Sequence, residues 1–532
     1  MNAVRHHFRR RATEQTSVIH NSPWPTTAAP DTGFAQRVLS RAASFGDRAA
    51  LIDAASGSAL SYAQLADGAE RISAALARRG LEPGEVVAVW LPNGPEHALA
   101  LLGAWLAGAA VLPLNPQLRP AELARLLEDA GARYLVAQPA ALDAARDALA
   151  GCALREIFAA GEALSATPFA ALLAEQPRPP VRVDPAAVAL LPYSSGTTGL
   201  PKGVMLSHRA LAANARQMAQ WPLAANERTV AVCVAPMFHA FGVALYHGVL
   251  LARGATIITA PRYELDSFLQ AIERYRATYA AIVQPLGRAL LESEAVPRFD
   301  LSTLTRITCG SAALGEALSG ALERRLGAPV FESYGMTELC GASHAQRPGD
   351  PRSSVGAALA GNQWKIIDTQ NGAPLPHGQD GEICVRGPSL MSGYLRRPRE
   401  TADCLDAQGW LRTGDLGRAD AEGRLTVTGR LKELIKVGGY QVAPAELEAL
   451  LLTHPGVAEA CVIGEADGAG GEIPVAFVVL KTPVSAATLQ SLVAANVAPF
   501  KQLRKVIFVA SLPRSHAGKI LRRELKQQIG KY

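Results

Sequence analysis

Between Tyr193 and Val204 the chain reads Y-S-S-G-T-T-G-L-P-K-G-V. Ser194, Ser195, Thr197 and Thr198 offer hydroxyl donors, while Gly196, Gly199 and Gly203 let the backbone turn tightly and bring its N–H groups up to an anion. Lys202 is held between Pro201 and Gly203, and a proline fixes its own φ and restricts its predecessor. Such a loop suits a polyphosphate. It is not the Walker phosphate loop, because no glycine directly precedes Lys202 and Gly203 stands where a Ser or Thr would hold magnesium. A lone Gly/Ser/Thr cluster is as a rule a polar surface loop, so the reading depends on what accompanies it.

Further stretches carry compatible chemistry. Glu332 to Glu338, E-S-Y-G-M-T-E, supplies an aromatic ring to stack on a base, a glycine for close approach, a hydroxyl for a phosphate and a carboxylate for magnesium. In W-L-R-T-G-D, Trp410 to Asp415, a turn presents a carboxylate able to accept both hydroxyls of a ribose. Gly429 to Glu448 combines basic residues, the glycine pair Gly438 and Gly439, and a helix start. Near the C-terminus P-R-S-H-A-G-K-I leaves Lys519 on a turn after a glycine. Alone, each has an ordinary explanation as a turn or a solubilising charge.

These residues need a scaffold, and the sequence indicates one. The apolar run Val188 to Pro192 reads as a short buried strand, and phosphate loops follow strand ends in open α/β sheets. From about residue 31 to 326 helical spacing alternates with short β-type runs. Examples are Leu65 to Arg79 then Val86 to Leu91, Ala121 to Ala130 then Tyr134 to Ala137, and Ser207 to Met218 then Thr229 to Val234. Phe241 to Leu251 reads as a helix before the strand Ala255 to Thr259, and Leu304 to Thr308 as a strand before the helix Leu314 to Leu326. That alternation predicts parallel sheets with crossover helices. Between about 352 and 429, short alternating runs separated by turn residues predict an antiparallel subdomain. Residues 433–532 read as a small α+β domain, with the boundary near Arg430 to Lys432.

With 532 residues, 49% of them hydrophobic, 19% charged and a net charge of +6, the chain is multidomain and globular. Its basic residues are dispersed, which excludes nucleic acid as the expected partner. Seven cysteines without a C-x-x-C pair read as buried apolar residues of a reducing compartment. The seventeen-residue uncharged run Ala98 to Leu114 is rich in Ala and Gly and broken by Pro113, so it reads as a buried helix entering a strand rather than a membrane span. The expected location is the cytoplasm. Residues 1–30, with Arg5, Arg9, Arg10, Arg11 and three prolines, are expected to form a disordered tail.

In this order, the motifs resemble those of the adenylate-forming superfamily: acyl- and aryl-CoA synthetases, adenylation domains of peptide synthetases and beetle luciferases. The likeness runs from about residue 34 to 526. K-E-L-I-K followed by Q-V-A-P-A-E-L-E is especially similar to the coumarate-CoA-ligase branch. The resemblance implies an α/β multidomain fold. A large N-terminal domain, 31–431, would hold two α/β subdomains and a distorted β-barrel, followed by a small mobile α+β domain, 432–532. It implies ATP, Mg2+ and CoA, with a carboxylic acid converted to an acyl-adenylate and then to a thioester.

By position the resemblance assigns Ser194, Ser195, Gly196, Thr197, Thr198 and Lys202 to the leaving pyrophosphate, Tyr334 to the adenine, and Glu332 and Ser333 to the nucleotide. It assigns Thr337 to the α-phosphate, Glu338 to magnesium, Asp415 and Arg430 to the ribose, and Lys436 and Gln441 to the adenylate. Lys519 would bridge carboxylate and α-phosphate, a positional task for a cation. Lys432 matches the hinge, and Gly438 and Gly439 the loop brought to the thiol tunnel. Arg262 matches a contact to the CoA nucleotide, with a solvated loop arginine as the equal alternative.

The acyl pocket would comprise His239, Ala240, Phe241, Gly310, Gly335, Leu339 and Cys340. In P-M-F-H-A-F-G, Pro236 to Gly242, no acid meets a substrate ammonium, which argues against an amino acid. His239 is kept among the catalytic candidates but reads first as a pocket wall or gate, since a carboxylate needs no base. Phe241 replaces the tyrosine common in coumarate ligases, so the expected substrate is a hydrophobic acid, fatty or aryl. Ala313 stands in place of the usual proline, Ala517 of a Ser or Thr, and Gly438 of a basic residue that would meet CoA. This last leaves a phosphopantetheinyl acyl carrier protein open as acceptor. A non-catalytic nucleotide-binding protein is the alternative of another class. The chain is expected to act as a monomer or homodimer.

Overall fold

The uncharged run divides as its composition suggests, into helix Pro95–Leu106 and strand Ala110–Pro113. Pro95 opens the helix where its missing N–H costs nothing, and His97 through Leu106 are all buried. The helix packs on Tyr62–Arg78, which Ser61 caps by accepting from the Gln64 N–H at 3.2 Å. No described helix is long and apolar enough to cross a membrane. The computed structural model describes residues 19–26, 31–163, 165–194, 201–220, 225–310, 314–437, 440–467, 471–515 and 519–529.

Two large sheets flank these helices. In one, the strands Ala110–Pro113, Val86–Trp90, Ala132–Ala137 and Glu156–Ala159 lie side by side and parallel. Beyond Val188–Leu190 it turns antiparallel, ending on Lys202–Ser207 and Tyr193–Ser194. The other aligns Ala49–Asp53, Thr256–Thr259, Val230–Cys233, Tyr279–Val283, Arg306–Gly310 and Val330–Tyr334 in parallel. A third, antiparallel sheet contains Gln363–Ile367, Gly381–Arg386, Leu411–Ala419 and Leu425–Arg430, as the turn-rich sequence predicts. The last hundred residues build a hairpin, Ile435–Val437 with Tyr440–Val442, and a three-stranded sheet of Val457–Ala466, Glu472–Leu480 and Lys505–Phe508. These surround two cores of their own.

Three expectations need correction. Residues 19–26 are not disordered: His20–Asn21 pairs with Gln363 and Trp364, and the His20 ring stacks on Trp364 at 4.5 Å. The Trp364 ring, fully buried in the structure, gives the segment an apolar partner that local composition does not reveal. The strand expected at Leu304 starts at Arg306, because Leu304 closes a turn by donating its N–H to the Leu301 carbonyl. The helix expected over Phe241–Leu251 is a single turn, Ala240–Gly242, continued as a π-helix over Val243–Leu250.

The C-terminal portion is tied to the preceding chain at few points. The Arg288 guanidinium donates to the Ala458 carbonyl at 3.1 Å. Within the C-terminal portion, Arg522 holds Glu433, at its start, and Glu448 at 2.9 and 2.6 Å.

Candidate active site

The antiparallel pairing of Tyr193–Ser194 with Lys202–Ser207 sets Ser194 opposite Lys202 across the base of the Gly/Ser/Thr loop. The loop residues Ser195, Gly196, Thr197 and Thr198 lie outside the described residues. Lys202 is 6% exposed, and its ammonium rests 5.0 Å from the centre of the Tyr394 ring, an attraction that desolvation strengthens. Tyr394 arrives there because its backbone pairs with Val204. Its hydroxyl donates to Glu338 Oε1 at 2.9 Å, and the Ser194 hydroxyl donates to the same oxygen at 3.0 Å.

Glu338 is buried in the turn Thr337–Leu339. Gly335 just before it has no room for a side chain, since a Cβ would stand 1.9 Å from the Gly341 carbonyl oxygen. Gly341 itself lies at φ +126° against Phe241, in the region that favours glycine. The acidic turn and the P-M-F-H-A-F-G segment therefore touch through backbone. Leu339 and Cys340 are buried, as is Ala240, while Phe241 is half-buried. Gly310 ends its strand beside the Ser333 hydroxyl.

A second cluster forms on the antiparallel sheet. Register places Asp415 opposite Arg430. Arg430 Nε lies 3.1 Å from Asp415 Oδ1, and the Tyr334 hydroxyl donates to Oδ2 at 2.8 Å. Burial pushes the Asp415 carboxyl up, opposed by Arg430, Tyr334 and Lys519. Burial, then the Asp415 charge, pushes the Tyr334 phenol up, so it stays a donor.

Lys519 connects the two clusters from the C-terminal portion. Its side chain keeps contact with solvent, yet the protein around its other sides, and next Arg430, lower its pKa, while Asp415 and Glu338 oppose that shift. Its charge also reaches His239. The His239 ring, still solvent-accessible at one edge, is pulled down to about 4 by desolvation and then by Lys519.

Other expected residues stand apart. Glu332 is buried: its Oε2 accepts from the Leu314 N–H at 2.9 Å, and burial pushes it up to about 7. Its side chain thereby holds the neighbouring loop that begins at Leu314, while Glu332 Oε1 is buried without a hydrogen-bond partner. Arg262 is 78% exposed and paired with Glu264. Lys436 is exposed, pairs by backbone with Gln441, and donates its N–H to Glu472. Lys432 is exposed after Arg430, and its pKa is lowered by desolvation and then by Arg430. Gly438 and Gly439 lie outside the described residues.

Two residues of the site were not found from the sequence. Tyr394 stands in a short S-G-Y-L run that signals only a turn. Asn93, in P-N-G, accepts the Met237 N–H at 2.8 Å and donates to the Cys233 and Ala235 carbonyls, bracing the segment that carries His239.

The donor set can be tested against magnesium. A buried carboxylate whose one oxygen already accepts two hydroxyls retains acceptor capacity for a hard cation. No group of three or more acidic, His or Cys side chains placed to hold a metal ion occurs among the described residues. This fits a magnesium ion shared between one carboxylate and substrate phosphates rather than a protein cage.

Two clusters, Ser194 and Tyr394 on Glu338 and Tyr334 and Arg430 on Asp415, thus share the charge of Lys519, which comes from the C-terminal portion. Residues 38–395 match the AMP-binding enzyme family and residues 446–519 the AMP-binding enzyme C-terminal domain, and the chain belongs to this family. It is 37% identical to a 4-coumarate–CoA ligase of Pinus taeda over 501 residues, 92% of this chain and 93% of that one. Among solved structures it resembles ATP-bound MatB from Rhodopseudomonas palustris, with a TM-score of 0.85 and 29% identity over 92% of this chain and 98% of that one. It also resembles the amide bond synthetase McbA from Marinactinospora thermotolerans, at 0.85 and 30% over 94% and 99%. By class, the chain is an acid–thiol ligase.

Proposed function

We propose that the enzyme joins a hydrophobic carboxylic acid, fatty or aromatic, to the α-phosphate of ATP with release of pyrophosphate, and passes the acyl group to the CoA thiol with release of AMP. A carboxylate is a poor electrophile because its leaving group would be oxide; the adenylate supplies a good one. The observation that carries the reading is the pair of clusters, Ser194 and Tyr394 on Glu338 and Tyr334 and Arg430 on Asp415, with the charge of Lys519 acting on both carboxylates. A cation there meets the carboxylate and the α-phosphate together, which is catalysis by positioning and charge.

In this reading Ser194, Lys202 and the loop between them hold the departing pyrophosphate, and Tyr334, Asp415 and Arg430 hold the nucleoside. Thr337 contacts the α-phosphate. Glu338 holds magnesium, which when bound neutralises phosphate charge. Neutral at pH 7, His239 is a weak base and forms a wall or gate of the acyl pocket with Ala240, Phe241, Leu339 and Cys340. Rotation about Lys432 withdraws Lys519 and presents the 438–439 loop for the second step. Lys432→Pro should slow thioester formation while sparing pyrophosphate release.

A panel of fatty and aryl acids with ATP, offered CoA, a pantetheinylated carrier protein or a simple amine, tests the reading. Thioester on CoA supports it. Thioester on the carrier alone moves the acceptor to a protein, a reading favoured by the exposure of Arg262 and its pairing with Glu264. The amine arm follows from the likeness to the amide bond synthetase. Absence of acid-dependent pyrophosphate release across the panel overturns the proposal.

A further inference from the structure

Helix Phe34–Leu39, helix His208–Ala219 and the turn Leu251–Arg253 all end around one cavity of about 260 Å³. Arg37, Arg41 and Arg253 line it with Ser40, over walls that include Ala219 and Gly248. Arg216, in the last turn of its helix, is close enough to act on Arg37. The volume is well above the roughly 10–15 Å³ that one water needs.

The cavity is separate from the cleft. Strand Thr256–Thr259 begins just after Arg253 and runs parallel to Arg306–Gly310 and Val330–Tyr334, whose carboxyl ends deliver Gly310 and Tyr334 to the active site. Arg253 therefore lies at the amino end of the sheet, whereas ligand crevices of such sheets open at the carboxyl ends.

Basic residues in a last helical turn complement the helix dipole, which accounts for single arginines here. It does not account for their convergence on a void. Arg37 Nε is buried without a hydrogen-bond partner, and desolvation, then Arg216 and Arg253, weaken the hold of Arg37 on its proton. Of the three lining arginines, Arg41 meets a carboxylate, Glu227, at 3.3 Å at the exposed rim. A desolvated charged donor among like charges is unfavourable unless an anion completes it.

We propose that this cavity binds a phosphate-bearing ligand at a site distinct from the nucleotide cleft. Guanidinium forks match phosphate oxygens two at a time, and three arginines around one void suit a multiply charged anion. The same chemistry is offered by a soluble polyphosphate and by the headgroup of an acidic phospholipid.

The full-length enzyme titrated calorimetrically with inorganic tripolyphosphate should show two binding events, in the cleft and in the cavity. The Arg37→Gln/Arg253→Gln variant should retain one, with ATP–pyrophosphate exchange unchanged. Arg253→Glu, at an exposed position, should weaken the same event at least tenfold. A parallel arm measures sedimentation with phosphatidylcholine vesicles with and without phosphatidic acid. Loss of binding in the variants in the soluble arm assigns a soluble ligand, and in the vesicle arm a headgroup. Binding unaffected by both variants in both arms, or absent from the wild type in both, overturns the proposal.

Discussion

Lys202 and Lys519 are assigned to opposite ends of one triphosphate, and the chain holds them in opposite ways. Lys202 is buried on a strand, opposite Ser194 and over the Tyr394 ring. Lys519 is exposed on a turn of the C-terminal portion and is joined to the cleft by charge. The first is set before substrate arrives. The second is held by interactions that a rotation can undo, as expected if one lysine serves only one of two half-reactions.

The sharpest break in this comparison is Lys519→Ala. Acid-dependent pyrophosphate release should fall on the order of 10²–10³-fold, as when one positioned donor to a developing charge is lost, while thioester formation from a preformed adenylate is little changed. If both steps fall alike, Lys519 is not a transient member of the site.

Tyr394→Phe tests the fixed side. It keeps the ring beneath Lys202 and removes one of two hydroxyls from Glu338 Oε1. The magnesium concentration for half-maximal exchange should rise about 10- to 100-fold, with Mn2+ binding, read by paramagnetic relaxation, weakened in parallel and the melting temperature nearly unchanged.

Arg430→Met probes the coupling between the two. Loss of the charged bond to the Asp415 carboxylate, proposed to hold the nucleoside, should raise KM for ATP roughly tenfold. The Lys519 pKa is lowered in part by Arg430. The cation is the active form, so adenylation is lost as pH rises through that lowered pKa. Removing Arg430 should move this alkaline limb to higher pH, read from pyrophosphate release. The smallest effect is expected of Arg262→Ala, where an exposed ion pair is removed: KM for CoA should change less than about fivefold.

Much of this was legible in the sequence because it is local. The alternation of periodicities that gave the parallel sheets, the turn-separated runs of the antiparallel sheet, and the Y-S-S-G-T-T-G and Y-G-M-T-E stretches each depend on neighbours a few residues away. Tyr394 depends on a strand register with Val204 across 190 positions, and Asn93 on contacts about 140 residues away. No local pattern encodes either. The bond from the Leu314 N–H to Glu332, a residue inside a recognised motif, is likewise made from another loop and has no local signal.

The Arg522 bridge to Glu433 and Glu448 has a practical side. It is formed by the first residue of the last described helix, Arg522–Gln528, and ties that helix to the linker and to helix Pro444–Leu452. Proteolytic trimming from Arg522 onward would leave every cleft residue named above in the polypeptide, yet it would release the strap between linker and lobe. Such a trimmed enzyme would still be recognised by nucleotide-affinity resins while Lys519 searched for the cleft on a looser tether, so retention on such a resin is a poor guide to whether a preparation can complete the reaction.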